Sequence, residues 1–111
     1  MFGNFKDETR EVLMLARCEK NNLKHPYVGS EHLLLAILKN KNNVSVKLRE
    51  YGVTYEKFRD EVISTIGIGS SDNEFLLYTP LLKRVIENAI LDSKETNHGV
   101  VLVSHLFSAL L

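Results

Sequence analysis

The sequence predicts an all-α, pseudo-twofold domain made of two copies of one helical unit, the second copy cut short. The first observation behind this is an internal repeat. Phe5 aligned with Tyr78 fixes an offset of 73 residues, and no gap is needed through Leu38 on Leu111. Eight of the 34 aligned positions are identical: Val12/Val85, Ala16/Ala89, His25/His98, Val28/Val101, His32/His105, Leu33/Leu106, Ala36/Ala109 and Leu38/Leu111. Average residue usage would give about two or three. The second observation is helical spacing of apolar residues, and the third is the lack of any convincing period-two alternation.

Helix one is expected from about Asp7 to Leu23, with Val12, Leu15, Ala16 and Leu23 on or near one stripe and Leu13 widening it. Asp7, Glu8 and Glu11 crowd its first turn, where the helix dipole favours negative charge. His25-Pro26 closes it, because a residue before proline avoids the α region. Helix two is expected from Ser30, read as the N-cap, to about Lys39. Its Leu/Ala/Ile run is apolar on nearly every side, which predicts a buried core helix. Asn42 or Asn43 caps a short third helix that ends near Tyr51, with Gly52 as a left-handed stop. Thr54 caps a fourth helix that runs to about Ile66, and Gly67 ends it.

Residues 68–77, with Gly69-Ser70-Ser71-Asp72-Asn73, read as the linker between copies and the most flexible segment. Repeat one is thus 5–67 and partial repeat two is 78–111. Thr79-Pro80 is a strong helix start, with Thr as N-cap and Pro at the first helical position. Val100–Val103 has β propensity, but the repeat places it at a loop-to-helix junction, so no strand is expected there. The chain stops inside an expected helix, which suggests a fragment boundary or a half-lost repeat. It also suggests an apolar surface that could be covered by self-association into a homo-oligomer.

Lys+Arg equals Asp+Glu at 14 each, so the composition implies no steering toward nucleic acid or an anionic membrane. No Trp and few aromatics also argue against a base-stacking surface. With no secretory apolar region and no run of 18 apolar residues, the chain reads as soluble and cytoplasmic. Cys18 is the only cysteine, which excludes an internal disulfide and leaves a structural or surface thiol. The histidine spacing fits no standard metal pattern, so the helix histidines are expected to satisfy hydrogen bonds around the repeat core. No nucleophile–base–orienter set can be read, and no G-x-x-x-x-G-K-[ST] loop is present to cradle phosphates. No catalytic residue, metal or cofactor is expected.

Met1-Phe2-Gly3-Asn4-Phe5, Val28-Gly29-Ser30-Glu31-His32-Leu33-Leu34-Leu35 and Tyr78-Thr79-Pro80 resemble the N-terminal domain of the Clp family of ATP-driven protein unfoldases, most closely its ClpC type. The resemblance covers essentially the whole chain. It implies a double repeat of a four-helix unit that binds substrate proteins and adaptor proteins for ATPase rings further along the parent chain. A stand-alone regulator or interaction module without a motor is the alternative. A further implication is recognition of phosphorylated arginine. Glu31 would receive the guanidinium in a bidentate fork, Ser30 would lie beside it, and the phosphate would sit at the backbone start of helix one, near Lys6. Lys6 stands where the family often has Thr, Thr79 keeps that residue in copy two, and Ser104 replaces the acid there. Only copy one is therefore expected to hold such a site.

Overall fold

A computed structural model describes residues 4–73 and 75–111; Met1, Phe2 and Gly3 of the opening motif lie outside the described residues. Six helices follow in order: α1 Asp7–Asn22, α2 Ser30–Lys39, α3 Asn43–Glu50, α4 Tyr55–Thr65, α5 Pro80–Thr96 and α6 Val103–Leu110. Among the described residues there is no strand, only the isolated bridges Phe5–Val101 and Val28–Tyr78, so Val100–Val103 is not a strand. The fold is all-α, as the sequence predicts.

Most helix starts follow from local side-chain chemistry. Asn42 Oδ1 accepts the Ser45 N–H at 2.8 Å, and Ser45 Oγ accepts the Asn42 N–H at 2.9 Å, a reciprocal capping box. Thr54 and Thr79 cap α4 and α5 through the N–H groups of Lys57 and Leu82. Ser30 departs from expectation. The N-cap of α2 is Gly29, and Ser30 is the first helical residue. The reason is His32: its Nδ1 accepts the Gly29 N–H at 2.9 Å, so a histidine at the third helical position supplies the cap. His105 does the same for α6, accepting the Leu102 N–H at 2.9 Å.

The repeat is visible in the backbone. Pro80 lies one offset from Asp7 and Val103 one offset from Ser30, so α5 begins as α1 does and α6 as α2 does. The two bridges exchange under the same offset: Phe5–Val101 becomes Tyr78–Val28. Each copy therefore lends its lead-in segment to the other copy. One departure is the end of α5, one residue longer than the end of α1. The left-handed residue moves with it, from Lys24 at φ 58° to His98 at φ 55°, so His98 is exposed while its counterpart His25 is buried.

α2 sits at the centre and touches all five other helices. Leu33, Leu35, Ile37 and Leu38 are buried, each contributing roughly 1.5–3 kcal/mol. The main core joins α1, α2, α5 and α6 through Val12, Ala16, Leu33, Leu82, Val85 and Leu106. A smaller cluster of Leu23, Leu35 and Val62 seats α4 with Tyr55, Phe58 and Ile63. Two buried charges went unseen in the sequence. Glu19 accepts the Tyr55 hydroxyl at 2.8 Å and lies 3.7 Å from Lys39 Nζ, which in turn stands over the Tyr55 ring. Lys20 is buried and donates to the Asn73 carbonyl and, at 3.1 Å, to Asn21 Oδ1. That contact ties down the linker. Gly69 N–H and Ser71 N–H also bond to the carbonyls of Leu23 and Lys24, at 2.8 and 3.0 Å. The first half of the segment expected to be most flexible is thus held along the end of α1.

Candidate functional site

The site is built at a junction between copies. Val28 N–H donates to the Leu77 carbonyl at 2.8 Å, and Thr79 N–H donates to the Val28 carbonyl at 3.0 Å. These bonds place the start of α2 beside the start of α5. The matching bonds, Val101 N–H to Asn4 and Lys6 N–H to Val101, place the start of α6 beside the start of α1. Ser30, Glu31 and Thr79 therefore gather at one junction, and Lys6 belongs to the other with Ser104. The helix N-terminus adjoining Glu31 is that of α5, whose Leu81 and Val85 line the same cavity.

At the first junction Ser30 and Glu31 line a cavity of about 510 Å³, walled by Leu34, Phe58, Leu81, Val85 and Phe107. A carboxylate at the rim of a mostly apolar cavity offers an acceptor for a cation. The adjoining start of α5, with Pro80 at its first position and the Leu82 and Lys83 N–H groups bonded to Thr79, leaves Leu81 N–H as a donor. Glu31 is partly exposed, and its carboxylate folds back over Gly29, where any Cβ would collide with Oε1. Glu31 Oε1 lies 3.3 Å from His32 Nδ1. This is not an ion pair, because that nitrogen already accepts the Gly29 N–H.

A histidine chain supports the junction from beneath. With Nδ1 accepting, His32 carries its proton on Nε2 and donates to His25 Nδ1 at 2.8 Å. His25 then donates from Nε2 to the Gly67 carbonyl at 2.8 Å. These tautomers are assigned from the hydrogen-bond network. Burial first, then the nearby His25 and Lys20, hold His32 down at about 4, so it is neutral at pH 7. In copy two the Thr96 hydroxyl takes the place of His25. It accepts from His105 Nε2 at 2.8 Å and donates to the Asp92 carbonyl. Both helix histidines thus serve as caps. Among the described residues no group of three or more His, Cys, Asp or Glu is placed to hold a metal. The capping role was readable only as a matched pair in the repeat; the pairing of Glu31 with α5 had no sequence signal.

Residues 4–111 match the family model described as the Clp repeat (R) N-terminal domain. The chain belongs to this family. It is 34% identical over 112 residues to the negative regulator of genetic competence ClpC/MecB of Bacillus subtilis, and 30% identical to the chaperone protein ClpB of Oceanobacillus iheyensis. Each match covers all of this chain and 14% of the relative, so the Clp repeat domain here spans about a seventh of those proteins. The crystal structure of the N-terminal domain of the caseinolytic protease associated chaperone ClpD from Arabidopsis thaliana superposes with a TM-score of 0.81 over 99% of this chain and 77% of that one. At 20% identity, that likeness establishes the fold. Among the described residues no helix of this Clp repeat domain is long and apolar enough to cross a membrane.

Proposed function

We propose that this chain is the substrate- and adaptor-recognition domain of a Clp-type ATP-dependent unfoldase, non-catalytic itself and acting in the cytoplasm. We read it as one domain of repeat one at 5–67, a linker at 68–77 and a partial repeat two at 78–111. The observation that carries the recognition role is the Glu31 carboxylate at the rim of a mostly apolar cavity, beside the start of α5. That arrangement suits a phosphorylated arginine on a substrate or adaptor. Glu31 takes the guanidinium, and the phosphate meets the start of α5. Pro80 there has no N–H and the Leu82 and Lys83 N–H groups are bonded to Thr79, so Leu81 N–H is the first-turn backbone donor left for it. The Thr79 oxygen accepts from Leu82 N–H, which leaves its O–H to donate to phosphate.

The test is calorimetric titration with phosphoarginine. A charge-assisted bond of this kind is worth roughly 1.5–3 kcal/mol, so Glu31→Ala is expected to weaken binding about ten- to a hundredfold. Binding unchanged in Glu31→Ala removes Glu31 from the mechanism. No binding at all leaves adaptor docking as the role.

A further inference from the structure

We propose that Gly29 is a positioning residue for the guanidinium seat: its bare Cα leaves the space in which the Glu31 carboxylate is held. This rests on the recognition role above and deepens it by naming what sets the carboxylate where a ligand meets it. The space beside Gly29 is filled by one group. A Cβ at residue 29 would collide with Glu31 Oε1, and Cδ and Oε2 of the same carboxylate lie 3.0 and 3.4 Å from that point. The three heavy atoms nearest to the missing Cβ thus all belong to Glu31.

Nothing else at this position calls for glycine. Its φ of −112° and ψ of −179° are extended values open to any residue. The cap does not need it either, because His32 Nδ1 takes the backbone N–H. Copy two shows both points. Leu102, one offset from Gly29, caps α6 at φ −100° and ψ 163° and gives its N–H to His105 Nδ1 at 2.9 Å. A leucine serves there because Ser104, not an acid, follows two residues later. The glycine stands in the copy that carries the acid. Folded over the first turn of α2, the carboxylate lies in the field of that helix's N–H groups and beside the start of α5. In phosphoarginine one P–N bond joins guanidinium and phosphoryl group, so the carboxylate and the α5 donors must keep a set separation. A carboxylate already seated loses little freedom on binding, whereas one displaced by a methyl group must be ordered by the ligand. The displaced group is the far end of a flexible side chain, so Gly29→Ala moves the carboxylate and leaves the backbone in place.

The test is a double-mutant cycle read by calorimetry with phosphoarginine. Gly29→Ala is expected to weaken binding about three- to tenfold, the cost of ordering one freed side chain. In the Glu31→Ala background the same change should cost nothing more, because no carboxylate is left to position. Without ligand, the Glu31 carboxyl ¹³C resonance should move in Gly29→Ala. An unmoved resonance overturns the proposal. So does an equal loss of affinity in both backgrounds, which would assign the effect to the start of α2 itself. Binding that Glu31→Ala weakens and Gly29→Ala leaves intact overturns the positioning role alone. No binding by the unmodified chain overturns the recognition role and this role with it.

Discussion

At the scale of single residues, the buried histidines impose a strict proton inventory. The chain from Gly29 N–H through His32 and His25 to the Gly67 carbonyl uses every ring nitrogen once, with both rings neutral. An added proton sets two N–H groups against each other at one of the links. His32 is held at about 4, against 6.5 in the unfolded chain. The folded state therefore binds fewer protons than the unfolded state between these values, and stability is lost as pH falls from 6.5 toward 4. The expected loss is roughly 3 kcal/mol by pH 4. Urea denaturation at pH 7.5 and 4.5 checks it, and His32→Gln should flatten the dependence. A steep slope that persists in that variant would assign the effect elsewhere. Glu19 offers a second case. Tyr55→Phe removes the hydroxyl that bonds this buried carboxylate and is expected to cost roughly 1–3 kcal/mol in equilibrium unfolding. Loss below about half a kcal/mol would mean that Lys39 alone satisfies Glu19.

At the scale of elements, the sequence was most legible where structure is decided locally. Thr79-Pro80, Thr54 and Asn42 mark helix starts because their side-chain oxygens bond N–H groups three residues on. Gly52 and Gly67 end helices with φ of 82° and 91°, a conformation glycine adopts freely. The start of α2 slipped by one residue because a histidine nitrogen, not the serine hydroxyl, does the capping. Glu19 and Lys20 were illegible for a different reason: their partners Tyr55 and Asn73 lie 36 and 53 residues away. Lys20 also explains why a Gly/Ser-rich linker is held in place. Gly69 is required there, since a Cβ would collide with the Lys24 carbonyl. Gly69→Ala should therefore free residues 68–73 while leaving the two cores intact. Limited proteolysis should show faster cleavage in this segment with little change in the unfolding midpoint. Unchanged cleavage would show that the segment reseats around the methyl group.

At the scale of the whole molecule, the exchange of lead-ins bears on how many phosphoarginine sites the proposed function implies for one chain. Sequence alignment alone pairs each acid position with the helix start of its own copy. The two bridges instead pair Glu31 with α5 and Ser104 with α1. The first junction joins a carboxylate to a helix start of Thr79-Pro80. The second joins a serine to a start of Lys6-Asp7-Glu8. Asp7 and Glu8 are exposed in the first turn of α1, where they repel phosphate, and Ser104 cannot form an ion pair with a guanidinium. The unmodified chain is thus expected to bind one phosphoarginine. Ser104→Glu should supply the missing partner for the guanidinium and create a second site, weaker than the first because Asp7 and Glu8 remain. Adding Asp7→Ser should strengthen that second site without altering the first, whose phosphate contacts come from α5. Calorimetry of the three proteins reads both stoichiometry and affinity. If Ser104→Glu leaves one site, or Asp7→Ser changes the site at Glu31, the assignment of each carboxylate position to the opposite copy's helix is wrong.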